Sequence, residues 1–212
     1  ANVAKVPYSN MDIENVKGKL IIRNSAATMQ GLSLGILEGK VTANGTYSTA
    51  TENPKLAADF RMDSVSFAKT FETFTSVRAL APVIGGLKGN FSGARILNTM
   101  LDNDMSPIAE TMSGNGSISS RQVELSGIKP LDAIADVVQM PGLKTLKAKD
   151  FSVAFDISAG RISTKPFDIK AGNYTMNLSG STGIDQSIDY KGKLSLPEST
   201  GAIVKYTTVD LK

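Results

Sequence analysis

The clearest pattern in the chain is the alternation over residues 151–157, which read Phe151-Ser152-Val153-Ala154-Phe155-Asp156-Ile157. The apolar residues fall at every second position, and this spacing puts them on one face of a β-strand. The polar and small residues between them fall on the opposite face. The segment therefore predicts a strand with one buried face and one hydrated face.

The same period of two runs outward from this segment through most of the chain. Residues 16–23, 32–36, 41–47 and 55–63 alternate in the same way, and the pattern shifts by one at Leu37, which predicts a bulge there. Short turns rich in Gly and Asn separate the later strands, at Ala159-Gly160, Gly172-Asn173 and Gly183-Ile184-Asp185. Successive strands with short turns predict an antiparallel meander.

Two segments break the alternation and predict short helices. Phe67, Phe71 and Phe74 are spaced i, i+4 and i+7, which predicts a helix over 65–74 with Ser64 or Asp63 as its N-cap. Residues 76–84 add a second short helix, interrupted by Pro82.

A third helix is expected over 130–138. It has Pro130 in its first turn, an apolar stripe of Leu131, Ile134 and Val138, and Gly142 past its end. Residues 98–113 read as loop with some helix. The expected fold class is mainly β with two or three short helices (α+β), its curved antiparallel sheet forming a groove or half-barrel.

The composition excludes several classes of site. The 212 residues contain no His, Cys or Trp, and the formal net charge is +3. Without Cys there is neither a disulfide framework nor a thiolate nucleophile, and without His the commonest general base and zinc ligand are missing. The Lys and Arg residues are dispersed, so no nucleic-acid surface is predicted. No cofactor is predicted.

The chain is expected to form a single domain over 1–212, with weak internal halves at 1–113 and 114–212. An offset of 60 places Val65 on Leu125 and Phe91 on Phe151, and each half reads strand, helix, strand. No stretch reaches the about 18 apolar residues that a spanning helix needs. Because the chain begins and stops inside strand-like sequence, we expect a fragment of a longer protein whose membrane anchor lies outside it.

Two short patterns suggest chemistry and are better explained by folding. Ser66-Phe67-Ala68-Lys69 has the spacing S-x-x-K of an acyl-transfer nucleophile, but its companion motifs S-D-N and K-T-G are missing, and Ser66 suits the first turn of a helix. Asp102-Asn103-Asp104 lacks the Gly and distal Glu of a calcium loop and reads as a solvated turn. No catalytic residue and no metal ligand is predicted.

The apolar faces are built from Leu, Ile, Val, Ala and Met, whereas aromatic residues make up only 6% of the chain. Such residues suit a curved sheet whose interior is incompletely filled and accepts varied apolar partners. An ordinary core packed against the protein's own helices explains the same alternation and, on the strand pattern alone, is the simpler interpretation.

Three parts of the chain follow one another in a distinctive order: residues 54–97, Gly114-Asn115-Gly116-Ser117-Ile118, and residues 146–197, including Gly160-Arg161-Ile162-Ser163-Thr164-Lys165-Pro166-Phe167. This order resembles the AsmA-like C-terminal region. These motifs are patterns of Gly and alternating apolar residues without a unique signature, and they cover most of the chain.

The resemblance implies a module related to bridge-like lipid-transfer proteins, in which long sheets curl into an apolar groove. It implies a non-enzymatic periplasmic protein, anchored to the inner membrane in its full-length form, that supports outer-membrane biogenesis by holding or conducting phospholipid. The partners that the resemblance implies are phospholipid or another lipid, with envelope proteins as further partners. The alternative is a structural or protein-binding scaffold for outer-membrane protein assembly, in which the helices close the sheet completely.

Alternation alone selects the candidate groove positions. They are Leu20, Ile22, Leu56, Phe60, Phe151, Val153, Phe155, Met176 and Leu178.

Overall fold

A computed structural model of the chain describes residues 2–8, 11–128, 131–132, 135–136, 139–172, 174–185, 187–195 and 206–211. One open, curved antiparallel sheet dominates it, in the order β1-β2-β3-β4-β5-β7-β8-β9-β10-β11-β12-β13, with the short β6 paired to β8. The strands are β1 (Asn2–Tyr8), β2 (Met11–Arg23), β3 (Ala26–Ile36), β4 (Gly39–Ser48), β5 (Lys55–Ser66), β6 (Leu87–Lys88), β7 (Asn90–Met100), β8 (Ser113–Ser126), β9 (Thr145–Ser158), β10 (Arg161–Ala171), β11 (Tyr174–Gly183), β12 (Ile188–Ser195) and β13 (Tyr206–Leu211).

The sheet is a meander because nearly every strand pairs with the next strand along the chain. Ala159 and Gly160 both have positive φ and connect β9 to β10, as the sequence predicts. The expected bulge at Leu37 is wrong. Leu37 and Glu38 also have positive φ and form a two-residue hairpin turn between β3 and β4, with Ile36 opposite Gly39. The mainly β, curved antiparallel fold class is confirmed.

Helical segments interrupt the meander at two connections on one end of the sheet. Between β5 and β7 lie α1 (Phe67–Thr73), α2 (Thr75–Leu80) and a 3₁₀ helix (Pro82–Gly86). Between β8 and β9 lie four described residues with helical backbone and a 3₁₀ helix (Pro141–Lys144). The structure thus repeats the strand, helix, strand order that the sequence predicts for each half. A single sheet nevertheless runs through both halves, because β7 and β8 pair directly.

The first helix begins later than predicted because a different serine caps it. The Oγ atom of Ser66 accepts a hydrogen bond from the backbone N–H of Lys69 at 3.3 Å, so Ser66 is the N-cap, and neither Ser64 nor Asp63 is. Ser64 has a positive φ and lies at the register shift that interrupts the pairing of β5 with β7 between Met62 and Val65. The second helix and its interruption at Pro82 are confirmed.

The third predicted helix is described only in part. Leu131, Asp132, Ala135 and Asp136 have helical backbone, and Leu131 and Ala135 are buried. Pro130, Ile134 and Val138 lie outside the described residues. Over 98–113 the structure has the end of β7, a loop and a short 3₁₀ helix (Ala109–Thr111), close to the expected loop with some helix.

Candidate ligand-binding face

One face of the sheet carries the apolar residues, and we call it the inner face; the other is the outer face. Strand pairing defines the two faces, because residues directly opposite each other in an antiparallel ladder point to the same side. Phe60 pairs with Arg95, Arg95 with Gly116, and Gly116 with Phe155. These four residues form a row across the middle of the inner face, and we call it the central row.

The nine residues selected from the sequence all lie on the inner face. Phe60 and Phe155 belong to the central row, and Leu20 and Ile22 are linked to it through the pairings of β2, β3, β4 and β5. In β10 a register shift between Thr164 and Phe167 returns the apolar residues of the strand to the inner face. Their burial differs: Phe151, Val153 and Met176 are buried, Leu56, Phe60, Phe155 and Leu178 are partly buried, and Leu20 and Ile22 are exposed.

The helical segments fill one end of the inner face. Phe67 and Leu143 are completely buried there, and the Phe67 ring lies 4.7 Å from that of Phe91. Phe151, Val153 and Met176 belong to the same core cluster. At this end the protein's own side chains therefore occupy the predicted groove.

The loop between β7 and β8 covers a second part of the inner face. Ala109 and Met112 pack against Leu97 and Ile157, and Phe60 and Phe155 contact this smaller cluster. The hydroxyl of Tyr47 on β4 donates to the Sδ atom of Met105 at 3.4 Å. The central row therefore lies between two separately covered regions.

The inner face is uncovered on β2. Leu20 is 56% exposed and Ile22 is 73% exposed, although both occupy the face that is buried farther along the sheet. Ile22 is opposite Ala27, which pairs with Tyr47, which in turn pairs with Leu56. Together these residues form an apolar strip that runs from the exposed strand toward the middle of the sheet.

Arg95 is the feature of the inner face that the sequence analysis missed. Its Nε atom is buried and has no hydrogen-bond partner, and its guanidinium carbon lies 5.7 Å from the centroid of the Phe60 ring. Burial lowers the pKa of the Arg95 guanidinium. The sequence does contain an indication of this site. In Phe91-Ser92-Gly93-Ala94-Arg95-Ile96-Leu97, the alternation predicts an apolar or small residue at the position that Arg95 occupies.

The four residues of the central row line a depression of about 580 Å³ in the middle of the sheet. Its lining includes both outward rows beside the central row, and Lys165 closes one side. The rows are Asp59, Ile96, Asn115 and Asp156, and Arg61, Ala94, Ser117 and Ala154. The lining is of mixed charge, and it includes Phe60 and Phe155, two of the predicted groove residues.

The residues that suggested chemistry have structural roles. Ser66 caps α1, and the Nζ atom of Lys69 pairs with Glu72 at 3.1 Å. The Oδ1 atom of Asp102 accepts the backbone N–H groups of Asp104 and Ser106, as in a solvated turn. Among the described residues, no group of three or more acidic side chains is arranged to hold a metal ion.

Within the described part of the chain, no helix has both the length and the apolar character needed to cross a membrane. No family model, no curated protein and no solved structure matches the chain.

Proposed function

We propose that the chain holds the hydrocarbon part of a lipid on its inner face, without catalysing a reaction on it. The observation that carries the proposal is the exposure of Leu20 and Ile22 on a face that is mainly apolar and, farther along the sheet, largely covered. Each methylene group that leaves water for such a surface contributes about 0.8 kcal/mol. A tail along β2–β5 would complete the cover that the protein lacks there.

The resemblance to the AsmA-like region supports the same proposal and adds its setting. In that setting the module works in the periplasm, belongs to a protein anchored in the inner membrane, and supports outer-membrane biogenesis by holding or conducting phospholipid. Envelope proteins would be further partners.

A scaffold function is the second candidate, and a different observation favours it. Under the helical segments the inner face is a filled core, with Phe67 and Leu143 completely buried. A sheet closed in this way presents its edges and outer face to partners. In this case the exposed residues of β2 contact another protein.

Lipid uptake by the purified chain separates the two candidates. We expect native mass spectrometry to detect bound phospholipid, and a fluorescent phospholipid to bind in titration. The double variant Leu20→Ser with Ile22→Ser should weaken binding by about tenfold or more, because two apolar contacts are lost. Ile96→Ser is the matched control, since Ile96 is 49% exposed but lies on the outer face. Absence of lipid uptake by the unmodified chain would exclude the lipid proposal and leave the scaffold.

A further inference from the structure

Among the described residues of strands β2 to β12, Arg95 is the only charged residue on the inner face. At the other described inner positions of these strands lie hydrophobic, Gly, Ser or Thr residues, as the pairings and the burial pattern show. Beyond Phe151 the alternation of β9 shifts by one, so that Leu146 and Ala148 are buried and Lys147 and Lys149 are exposed. The neighbours of Arg95 on its own strand and face are Gly93 and Leu97. A charge at the centre of an apolar surface carries a large desolvation cost unless a counter-charge offsets it.

The protein supplies no counter-charge to Arg95 within the described residues. The acidic residues nearest in register, Asp59 and Asp156, belong to the outer face, because they alternate with Phe60 and Phe155. Arg95 takes part in no ion pair and no hydrogen bond there, and its buried Nε atom is unpartnered. Its contact with the Phe60 ring stabilises the cation without neutralising it.

The central row is crowded around Arg95, yet the residue is not enclosed. Gly116 lies directly opposite on β8, and a Cβ atom there would come within 2.8 Å of both the Arg95 Cβ and the Phe155 ring. As a whole residue Arg95 is only partly buried, so an incoming group can reach it. A guanidinium stays protonated in proteins and offers several N–H donors to a carboxylate or phosphate oxygen.

We infer that Arg95 binds the anionic group of an amphiphile, a carboxylate or a phosphate oxygen, while the hydrocarbon tail lies along the apolar inner face. This inference rests on the proposed function, which it deepens by naming the class of lipid as anionic. The ligand neutralises the charge of Arg95, and its tail covers the apolar strip of Ile22, Ala27, Tyr47 and Leu56. A neutral amphiphile would cover the apolar strip but would leave the guanidinium charge of Arg95 unpaired.

The test compares decanoate with decanol, two ligands with the same tail length, by calorimetric titration of the purified chain at neutral pH. We expect the unmodified chain to bind decanoate about tenfold more tightly than decanol, since a charge-assisted hydrogen bond contributes only to the former. Arg95→Met should abolish this preference and leave decanol binding unchanged. Arg95→Gln is the second variant, and Arg61→Met, an exposed cation on the outer face, is the matched control that should keep the preference.

The remaining outcomes overturn the inference and can be told apart. An unchanged preference in Arg95→Met shows that the anion binds elsewhere, and equal loss of both ligands shows that Arg95 only supports packing. If neither ligand binds the unmodified chain, the proposed function fails together with the inference. If inorganic phosphate alone binds as tightly as decanoate and depends on Arg95, the site serves a free anion and not a lipid headgroup.

Discussion

The guanidinium carbon of Arg95 lies 5.7 Å from the centroid of the Phe60 ring, and the two residues face each other across β7 and β5. The ring offers its negative face to a cation that has lost much of its hydration. This contact explains how an arginine remains on an apolar surface. It leaves the buried Nε–H without an acceptor, so the position is costly for the fold.

Arg95→Met should therefore stabilise the ligand-free chain. Removing an unpartnered buried donor gains more than the lost ring contact costs, and we expect the free energy of unfolding to rise by about 1 kcal/mol. Urea unfolding followed by circular dichroism measures it. Arg61→Met, on the outer face, should change stability by less than about 0.5 kcal/mol. A clear loss of stability in Arg95→Met would show that Arg95 has a partner that the fold requires.

Ser66→Ala should destabilise the start of α1. The Ser66 side chain accepts the Lys69 N–H, and loss of such a cap costs about 1 kcal/mol. The change should appear as a lower midpoint of denaturant unfolding and as faster amide exchange at Lys69. Ser152→Ala, at an exposed outer position of β9, serves as the control and should have little effect. Equal effects of the two substitutions would contradict the capping role.

Phe67→Ala should have a much larger effect, because Phe67 is completely buried and lies against Phe91 at the junction of the helices and the sheet. Deletion of a buried aromatic ring costs about 3–5 kcal/mol. Val83→Ala, at a position that is 48% exposed, is the comparison and should cost far less. A small loss in Phe67→Ala, measured by the same urea titration, would mean that the helical segments can detach from the sheet at little cost.

Gly116→Ala tests the close approach on the central row. The new methyl group would lie 2.8 Å from the Phe155 ring and from the Arg95 Cβ, so side chains must shift, at a cost of about 1–3 kcal/mol. Shortening Phe155 to Leu should relieve part of the crowding. The double variant should therefore be less destabilised than the sum of the single variants, and strict additivity would show that the crowding lies elsewhere.

Asp185 makes the turn between β11 and β12 sensitive to acid. Hydrogen bonds from the hydroxyl and the backbone N–H of Ser187 hold the pKa of the Asp185 carboxyl below its usual value. The stabilisation is therefore present above the usual aspartate pKa and is lost as the pH falls through the lowered pKa. Asp185→Asn should lessen the acid sensitivity of amide exchange at Ser187, and an unchanged pH profile would contradict this assignment.

The fold could be predicted from the sequence to the extent that it depends on local alternation. Pairing in an antiparallel sheet preserves the face of each residue, so period-two spacing was sufficient to put Leu20, Phe60, Phe155 and Met176 on one side. The sequence alone does not distinguish the hairpin turn at Leu37 from a bulge, because both shift the alternation. Only the positive φ values of Leu37 and Glu38 distinguish them.

Burial at each candidate position could not be predicted from the same pattern. Met176 is buried and Ile22 is exposed on the same face, because the covering helices come from distant parts of the chain and reach only one end of the sheet. Period-two alternation selects apolar residues, so it does not select Arg95, which takes an apolar position of β7. The alternation of β7 is enough to place Arg95 among apolar positions. That it has no partner among the described residues can be seen only when the pairing of the neighbouring strands is known.

The meander has a consequence for how this sheet tolerates changes in length. Since each long strand depends only on its two neighbours, a strand can be removed from either margin without breaking any pairing among the rest. Loss of an edge strand should therefore leave the pairing of the other strands intact. Unfolding from an edge should proceed inward one strand at a time. The middle strands, held by the covering helices as well as by their ladders, would be the last to separate.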